Sequence, residues 1–534
     1  MFVFDLLSML LCGGLSQIPS VGIALCLVII VSRFTYVAVT QLVISSNVKT
    51  GRKSERKMDF FESVLDELHT LGGANICCGL NLKSKSTLPY DHVYNALECI
   101  SKKYPLLRTV IVQKCDEHNK ITKYLQVIDD KIMVTLNQLS VEDWVSVWEK
   151  EVQTKFDREL GPLWRTNILK ERYDVGMGTY NNTLLFTFYH GTMDGLAVLQ
   201  FAQEFVKCLE KISKGILLSV QDVNKDILPG VMTLLAPRQF LHFKVMQWLL
   251  PEFVLVQLVK FAMRVNLLFD VKNPFLSQFE GINSVRQERI KIIPRQLSAE
   301  SSEKLLTLCR KNVSTVYGAM LACCHLAVAE LLKGGKNKPV KSPVQFGWYC
   351  PVNVRNQCVP RIQQDDLGSY TTVLMENAAN VPNISPANPS KFWNYAKQCT
   401  QKVHNGIRNG RHLFSLYLVP ISHLLDPKEF VSEFILHSKM NQSELMSPVH
   451  SLTNLGKIDW REDKDDAYEI ESVFGGSGAY QHGATFVNHM ATFNGVFVWS
   501  TSYIATIVCE ETAEKYVNIV FNILQNVLSS SDEE

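Results

Sequence analysis

The stretch Leu184–Leu199 (LLFTFYHGTMDGLAVL) constrains the fold of this chain more than any other segment, because two apolar runs meet there at one short polar loop. The first run, Asn182–Tyr189, is rich in aromatic and β-branched residues, which is typical of a buried strand. In the second run the apolar residues recur at the spacing of a helix face. The stretch therefore predicts a strand, a tight HGTMDG loop at positions 190–195, and a helix.

The loop places His190 at the end of the predicted strand, where a side chain can face a cleft. An imidazole titrates near neutral pH and can act as a general base. Asp194 is expected to fix the loop by pairing with an arginine, and Gly191 and Gly195 allow backbone angles that a side chain disfavours. In the simpler alternative, Asp194 only caps the helix and His190 is an ordinary histidine.

The size and charge of the chain narrow the class of protein. With 534 residues, the chain is expected to form two or three domains, and a net charge of +2 gives no reason to expect a nucleic acid partner. The fourteen cysteines are scattered, without the spacing of zinc ligands, and most lie in apolar segments. They indicate free thiols in a reduced, cytosolic setting rather than a disulfide framework.

The N-terminal segment has a different composition. Leu6–Ser32 carries no charged residue, and after the single Arg33 a second uncharged run continues to Val48. The best membrane span within it is Ile18–Val39, and two shorter interfacial pieces are the alternative. Basic residues follow in Lys49–Lys57, so the positive-inside rule places the rest of the chain in the cytosol and disfavours a cleaved signal peptide. We therefore expect residues 1–57 to be a membrane anchor with a basic juxtamembrane end.

The remaining chain alternates helical and strand patterns, which predicts an α/β protein with mixed sheets. The pattern divides into an N-terminal subdomain at 58–214, an apolar basic insertion at 215–284, a C-terminal subdomain at 285–528, and a disordered acidic tail at 529–534. Thr315–Leu332 is apolar almost all round and is expected to be a central helix.

The insertion admits two interpretations. Between Arg238 and Lys272 the apolar helices carry mainly basic charges, as helices lying in a membrane interface do. A helical pair packed on the main core fits the same pattern.

Several motifs accompany HGTMDG in a fixed order. They are GPLWR at 161–165, STVYGAMLA at 314–322, CPVNVR at 350–355, DDLGSY at 365–370, TNLGKID at 453–459 and TFNGVFVWSTSY at 492–503. With these motifs the chain resembles the chloramphenicol-acetyltransferase-like superfamily of coenzyme A-dependent acyltransferases, within its alcohol acetyltransferase and condensation-domain branch. The resemblance covers roughly Met58–Leu528.

The resemblance implies two similar α/β subdomains with an active-site tunnel between them and a complete site in a monomer. It implies His190 as general base and Asp194 as the structural acid of a salt bridge, with Gly195 in support. Arg355 is the first candidate partner of Asp194, and Arg165 is the second. It also implies acyl donors that are thioesters of coenzyme A or of carrier phosphopantetheine, acceptors that are alcohols or amines, and no permanently bound cofactor.

Some positions depart from the pattern of the superfamily. Many relatives have a second histidine where this chain has Tyr189, but the catalytic role belongs to the position of His190. The DFGWG motif of the plant branch is absent. Ser500–Ser502 matches the STS of carnitine acyltransferases, although Ser and Thr also alternate on strand faces. Thr453 or Asn454 could donate to an oxyanion if either faced a dry site.

The predicted function is acyl transfer to an alcohol or amine without a covalent enzyme intermediate, since no G-x-S-x-G elbow occurs. The N-terminal segment and the basic insertion add the expectation of a lipid-like substrate at a membrane, such as an endomembrane, with the catalytic body in the cytosol. One alternative is condensation-type amide synthesis. Another is a non-catalytic, membrane-tethered binding protein of the same fold.

Overall fold

The computed structural model of the chain describes a body that begins at residue 54. The described residues are 54–72, 75–115, 121–128, 133–216, 227–239, 251, 254, 256–258, 260–261, 273–275, 289–334, 343–384, 388–413, 425–432, 448–460, 466–479 and 483–529. The predicted N-terminal span lies outside them, and so does the acidic tail apart from Ser529, which is the last residue of a helix.

Strands and helices alternate along the body. The strands are β1 Glu55–Lys57, β2 Asn75–Ser84, β3 Thr109–Cys115, β4 Ile121–Val127, β5 Leu136–Gln138, β6 Trp164–Ile168, β7 Arg172–Asp174, β8 Thr179–Tyr189, β9 Ile290–Gln296, β10 Val344–Asn353, β11 Thr371–Val381, β12 His450–Ile458, β13 Tyr468–Ser477, β14 Phe486–Phe493 and β15 Val496–Ile504. The helices are α1 Phe60–Gly72, α2 Tyr90–Lys103, α3 Trp144–Gln153, α4 Gly195–Ser213, α5 Val231–Gln239, α6 Ala299–Lys311, α7 Val316–Lys333, α8 Pro389–Arg408, α9 Pro427–Phe430 and α10 Glu510–Ser529.

The first large sheet has the order β13-β2-β8-β6-β5, with β7 paired to β8. Its pairs are antiparallel except β5 with β6. Helices α2 and α4 pack together, and their buried side chains share one apolar core with the inner strands. The strand, loop and helix predicted from Leu184–Leu199 are therefore β8, the HGTMDG loop and α4.

The second large sheet has the order β11-β10-β12-β14-β15-β9. It is also mixed, since β12 runs parallel to both β10 and β14 whereas the other pairs are antiparallel. Helices α7, α8 and α10 form one core with it. The predicted α/β class with mixed sheets is confirmed.

Helix α7 lies at the centre of that core, as its sequence predicts. Most of its side chains are buried, because its apolar residues surround the helix. Among the described residues it is the one helix with the length and hydropathy of a membrane span, and 78% of it is buried inside the protein. Burial of that kind is typical of a core helix.

Strand β13 joins the sheet of the other half. It belongs to the second half by sequence, yet its residues pair with β2 of the first half, with Ser477 opposite Ile76 and Tyr468 opposite Ser84. The predicted boundary near residue 285 therefore separates the two halves in sequence, but one strand of the second half lies in the sheet of the first half. Alternation of apolar residues marks β13 as a strand, but it does not specify the partner.

The body also begins earlier than the sequence indicates. Strand β1 pairs with β4 in a small sheet with β3, so residues 55–57 belong to the body rather than to the anchor at 1–57. Arg56 of this strand forms an ion pair with Glu62 of α1 at 2.6 Å. The sequence Glu-Arg-Lys lacks the apolar alternation that marks a strand.

Two further elements differ from expectation. Strand β12 contains the TNLGKID motif except for its last residue, Asp459. It was not expected as a strand, because Asn454 and Gly456 interrupt its pattern, and the register shifts at that point. In the insertion, Val231 and Leu235 of α5 are buried in the second core, which favours the packed interpretation for α5. The remainder of the basic segment after Gln239 lies mostly outside the described residues.

Candidate active site

The HGTMDG loop is a tight connection between β8 and α4. The amide and hydroxyl of Thr192 both donate to the carbonyl of Tyr189, at 3.2 and 3.0 Å. Asp194 is the N-cap of α4, and its Oδ1 accepts from the amide of Ala197 at 2.9 Å. Asp194 therefore caps the helix, as the simpler alternative predicts, but it also makes contacts that a helix cap does not need.

Asp194 also forms a buried, two-pronged ion pair with Arg355. Nη1 of the guanidinium donates to Oδ2 at 2.7 Å and Nη2 donates to Oδ1 at 2.9 Å. The two residues are 2% and 4% exposed. They are 161 positions apart, so the pair joins the loop of the first half to the second. The first candidate partner is therefore the one in contact.

Backbone groups of the DDLGSY segment complete this arrangement. The amide of Tyr370 donates to Asp194 Oδ2 at 2.9 Å, and Gly368 O accepts from both the Asp194 amide and Arg355 at 3.2 Å. Burial alone would raise the pKa of Asp194, but the Arg355 charge and these hydrogen bonds hold it below its usual value. Asp194 is a fixed, ionised structural group.

Arg165, the second candidate, is committed elsewhere. Its Nε contacts the carboxylate of Glu151, and its Nη2 donates to the carbonyls of Glu151 and Thr154 at 2.8 Å. Its guanidinium lies over the ring of Phe156, 4.2 Å from the centroid. The GPLWR arginine thus supports the first half internally.

His190 is held in one tautomer. Its Nδ1 lies 2.8 Å from the carbonyl oxygen of Met193. A carbonyl can only accept, so Nδ1 carries the proton and the neutral ring presents the lone pair of Nε2. Within the part of the chain that the structure describes, no side chain or backbone group bonds this Nε2. The imidazole is partly exposed and available as a proton acceptor.

Tyr189 points away from that imidazole. It is fully buried, and its hydroxyl donates to Asp66 Oδ1 at 2.9 Å. Asp66 also pairs with Lys123 and Arg158 at 2.6 and 2.5 Å. Burial and the Asp66 charge raise the pKa of Tyr189 well above its usual value. The residue that replaces the first histidine is thus a packing residue.

Gly195 is another point where the second half contacts the loop. A Cβ at Gly195 would lie 2.6 Å from Cδ2 of Leu455, which belongs to β12. The absence of a side chain therefore allows β12 to approach the start of α4. Together with the Asp194–Arg355 pair, this contact places His190 between the two halves.

The expected oxyanion donors are not equivalent. Asn454 is exposed, and its Oδ1 accepts from the amide of Gly456 at 2.9 Å, so it does not meet the requirement of a dry site. Thr453 is half-buried. Ser500 and Ser502 donate to the carbonyls of Gly475 and Ser477 at 2.6 and 2.9 Å, which is a structural link between the two large sheets.

Sequence reasoning missed one residue of this region, His489. It lies on β14, is 7% exposed, and is close enough to His190 for the charge of that ring to lower the pKa of His489. The signal that could have found it is its place in an apolar strand (FVNHMATF), where a histidine must be desolvated.

A small cleft adjoins the loop on the side of Thr192. Its walls combine the Arg56–Glu62 ion pair with apolar groups of Leu106, Leu367 and Tyr370. Among the described residues, no group of three or more His, Cys, Asp and Glu has the arrangement of a metal site, and the described cysteines are free thiols.

Comparison with known families gives a match over most of the chain. The family model described as alcohol acetyltransferase matches residues 106–527. No curated protein sequence matches the chain.

Solved structures of similar fold are distant in sequence. The trichothecene 15-O-acetyltransferase from Fusarium sporotrichioides is 12% identical, with 90% of this chain and 97% of that chain covered and a TM-score of 0.64. The epimerization domain from the third module of tyrocidine synthetase B is 12% identical, with coverages of 92% and 100% and a TM-score of 0.60. Polyketide synthase associated protein 5 from Mycobacterium tuberculosis is 12% identical, with coverages of 89% and 98% and a TM-score of 0.56. At such identities the likeness concerns the fold.

Proposed function

Because the chain belongs to the alcohol acetyltransferase family, we propose that it transfers an acyl group from a coenzyme A thioester to an alcohol, with His190 as the general base. The observation that carries the proposal is the state of the His190 ring. Its Nδ1 is committed to Met193 O, so Nε2 is the atom left for proton transfer. The Asp194–Arg355 pair fixes the loop that holds this ring.

The reaction needs one proton acceptor that later becomes a donor. His190 Nε2 takes the hydroxyl proton while the acceptor oxygen bonds to the thioester carbonyl carbon. The carbon–sulfur bond then breaks, and the imidazolium returns its proton to the leaving thiolate. General-base assistance of this kind typically supplies about 10²–10⁴-fold, so positioning of both substrates provides much of the rest. A tunnel between the halves would keep water from the thioester.

The proposed class of acceptor rests on the family and on the N-terminal segment that precedes the body. Alcohol acceptors are what the family name states, and the proposal extends them to lipid-like alcohols. The support for this extension is the uncharged N-terminal run with its basic flank, which would hold the cytosolic body at a membrane. A monomer would suffice, since both members of the Asp194–Arg355 pair come from one chain.

Product identification tests this function. Purified full-length protein in detergent is given acetyl, octanoyl and palmitoyl coenzyme A together with an alcohol or an amine of the same carbon skeleton. Mass spectrometry should find the ester and free coenzyme A in equal amounts, with faster transfer for long-chain substrates. Formation of the amide alone would support condensation chemistry, and the absence of any product would support a binding protein. Equal rates for all chain lengths would contradict the proposal of a lipid-like substrate.

A further inference from the structure

A second histidine, His489, faces the first sheet from the second. It lies on β14 between Thr453 of β12 and Ser500 of β15. Its ring meets β13, the strand that joins the other half's sheet. His489 is therefore at the junction of the two large sheets.

The register of the first sheet places this junction near His190. Ser477 of β13 lies opposite Ile76 of β2, and Ile76 lies opposite Phe188 of β8, two residues before His190. Neighbouring strands are about 4.8 Å apart, so Ser477 and the end of β8 are separated by roughly 10 Å across the sheet. His489, which bonds Ser477, is at the same end of the sheet as the base.

The hydrogen bonds of His489 define its tautomer. Nε2 lies 3.1 Å from the backbone nitrogen of Ser477 and 3.1 Å from its hydroxyl. A backbone N–H can only donate, so Nε2 is the unprotonated atom. Burial, followed by the proximity of His190, lowers the pKa of His489 to about 4, so the ring is neutral at physiological pH and its single proton is on Nδ1.

This Nδ1–H lacks an acceptor. The atom is buried, and the described residues supply it with no hydrogen-bond partner. Gly476 packs directly against it, and a Cβ at that position would overlap the ring. Gly476 also has a φ of +154°. A glycine at position 476 thus leaves room for the ring, and the Nδ1–H has no partner among the described residues.

We propose that the Nδ1–H of His489 donates a hydrogen bond to the carbonyl oxygen of the bound acyl thioester. This inference rests on the proposed function and adds a catalytic residue to it. When the acceptor oxygen attacks, the carbonyl π electrons move to this oxygen, and the bond from His489 strengthens as the negative charge develops. His489 keeps its proton throughout, while His190 alone takes the acceptor proton and returns it to the thiolate.

Two substitutions separate this role from a structural one. In His489→Asn the amide nitrogen can take the position of Nδ1, whereas in His489→Gln the amide oxygen can take the position of Nε2 and accept from Ser477. We expect His489→Asn to retain turnover within about fivefold, and His489→Gln to lose about 10²-fold in kcat with little change in KM and melting temperature. The opposite order, or wild-type turnover in both variants, would overturn the proposal.

A binding measurement decides the case in which both variants are slow. Two inert analogues of acyl-coenzyme A are compared as inhibitors: a ketone that keeps the carbonyl, and a thioether that lacks it. His489→Gln should weaken the ketone at least tenfold and leave the thioether unchanged. Equal weakening of both would show that His489 only supports the fold. Transfer by the wild-type protein is measured first. If the wild type has no transfer activity, both the proposed function and this inference are contradicted. If it is active, the variants test the role of His489 alone.

Discussion

Asp194 accounts for more of the site than any other single residue. Its two carboxylate oxygens accept from Arg355, from the amides of Ala197 and Tyr370, and from the hydroxyl of Thr371 at 3.2 Å. A buried charge is tolerated only when it is paired and hydrogen-bonded in this way. One carboxylate thereby begins a helix, fixes a loop and joins two halves of the chain.

We expect Asp194→Asn and Arg355→Ala each to abolish most transfer activity and to cost roughly 3–5 kcal/mol of stability, because each leaves one buried charge without its partner. In a double-mutant cycle the loss in the double variant should be much smaller than the sum of the two single losses, both in turnover and in the free energy of unfolding. The matched control is Glu142→Gln with Lys170→Gln, which breaks an exposed ion pair whose Nζ and Oε1 atoms are 2.8 Å apart. Turnover and the free energy of unfolding should not change in this control. Additive losses would mean that the contact is not an energetic pair.

Sequence reasoning reached these residues because motifs of fixed spacing carry them. HGTMDG supplied His190, Asp194 and Gly195, and CPVNVR supplied Arg355. His489 was missed because its role depends on Ser477, which approaches only when β13 crosses to the sheet of the other half. A long-range strand partner is not encoded in a local pattern.

At the scale of elements, α7 shows how closely the second core is packed. Gly318, in the first turn of α7, faces α8: a Cβ there would overlap the Thr400 hydroxyl and lie 2.8 Å from the carbonyl of Ala396. The sequence predicted a central helix from its all-round apolar residues. It did not indicate that the approach of α8 depends on a glycine.

Gly318→Ala should lower the free energy of unfolding by about 1–3 kcal/mol, since the added methyl group must displace α8. Gly334→Ala, at the C-terminal end of the same helix, is the control. Its nearest atoms would be 3.7 and 3.9 Å away and its φ is −90°, so its stability should change by less than about 0.5 kcal/mol. Urea denaturation of both variants measures this, and equal midpoints would contradict the close packing of α7 on α8.

For the whole molecule, buried histidines set the response to acid. Burial lowers the pKa of His69 and His489 to about 4 and that of His450 to about 3, with Arg158 contributing at His69 and His190 at His489. In the unfolded chain these groups bind protons near pH 6.5.

The stability should therefore be complete above pH 6.5 and fall as the pH drops towards 4, by about 1.4 kcal/mol per pH unit for each histidine. Asp59 acts in the opposite direction. Burial, followed by repulsion from Glu62, raises its pKa to about 7, so its contribution is present below about pH 4 and lost as the pH rises to 7. Three histidines outweigh one carboxyl, and urea midpoints at pH 7, 6 and 5 should decrease. A constant or rising midpoint would contradict the neutral, buried state of these rings.

The N-terminal segment gives a second prediction at this scale. We expect full-length protein to remain in the membrane pellet after carbonate extraction, because the run around Ile18–Val39 has the length to span. A variant without residues 1–53 keeps β1 and the Arg56–Glu62 pair, so it should retain its melting temperature and its transfer to a soluble short-chain alcohol. Recovery of the full-length protein in the carbonate supernatant would show that the segment does not span.

The most direct test of the account is the rate of ester formation by His190→Ala at saturating acyl-coenzyme A and alcohol. His404→Ala, which removes an exposed histidine of α8, is the matched control, and melting temperatures confirm that both variants are folded. We expect His190→Ala to lose at least about 10²–10⁴-fold in kcat while His404→Ala equals the wild type. A folded His190→Ala protein that forms ester at the wild-type rate would contradict the assignment of His190 as the base.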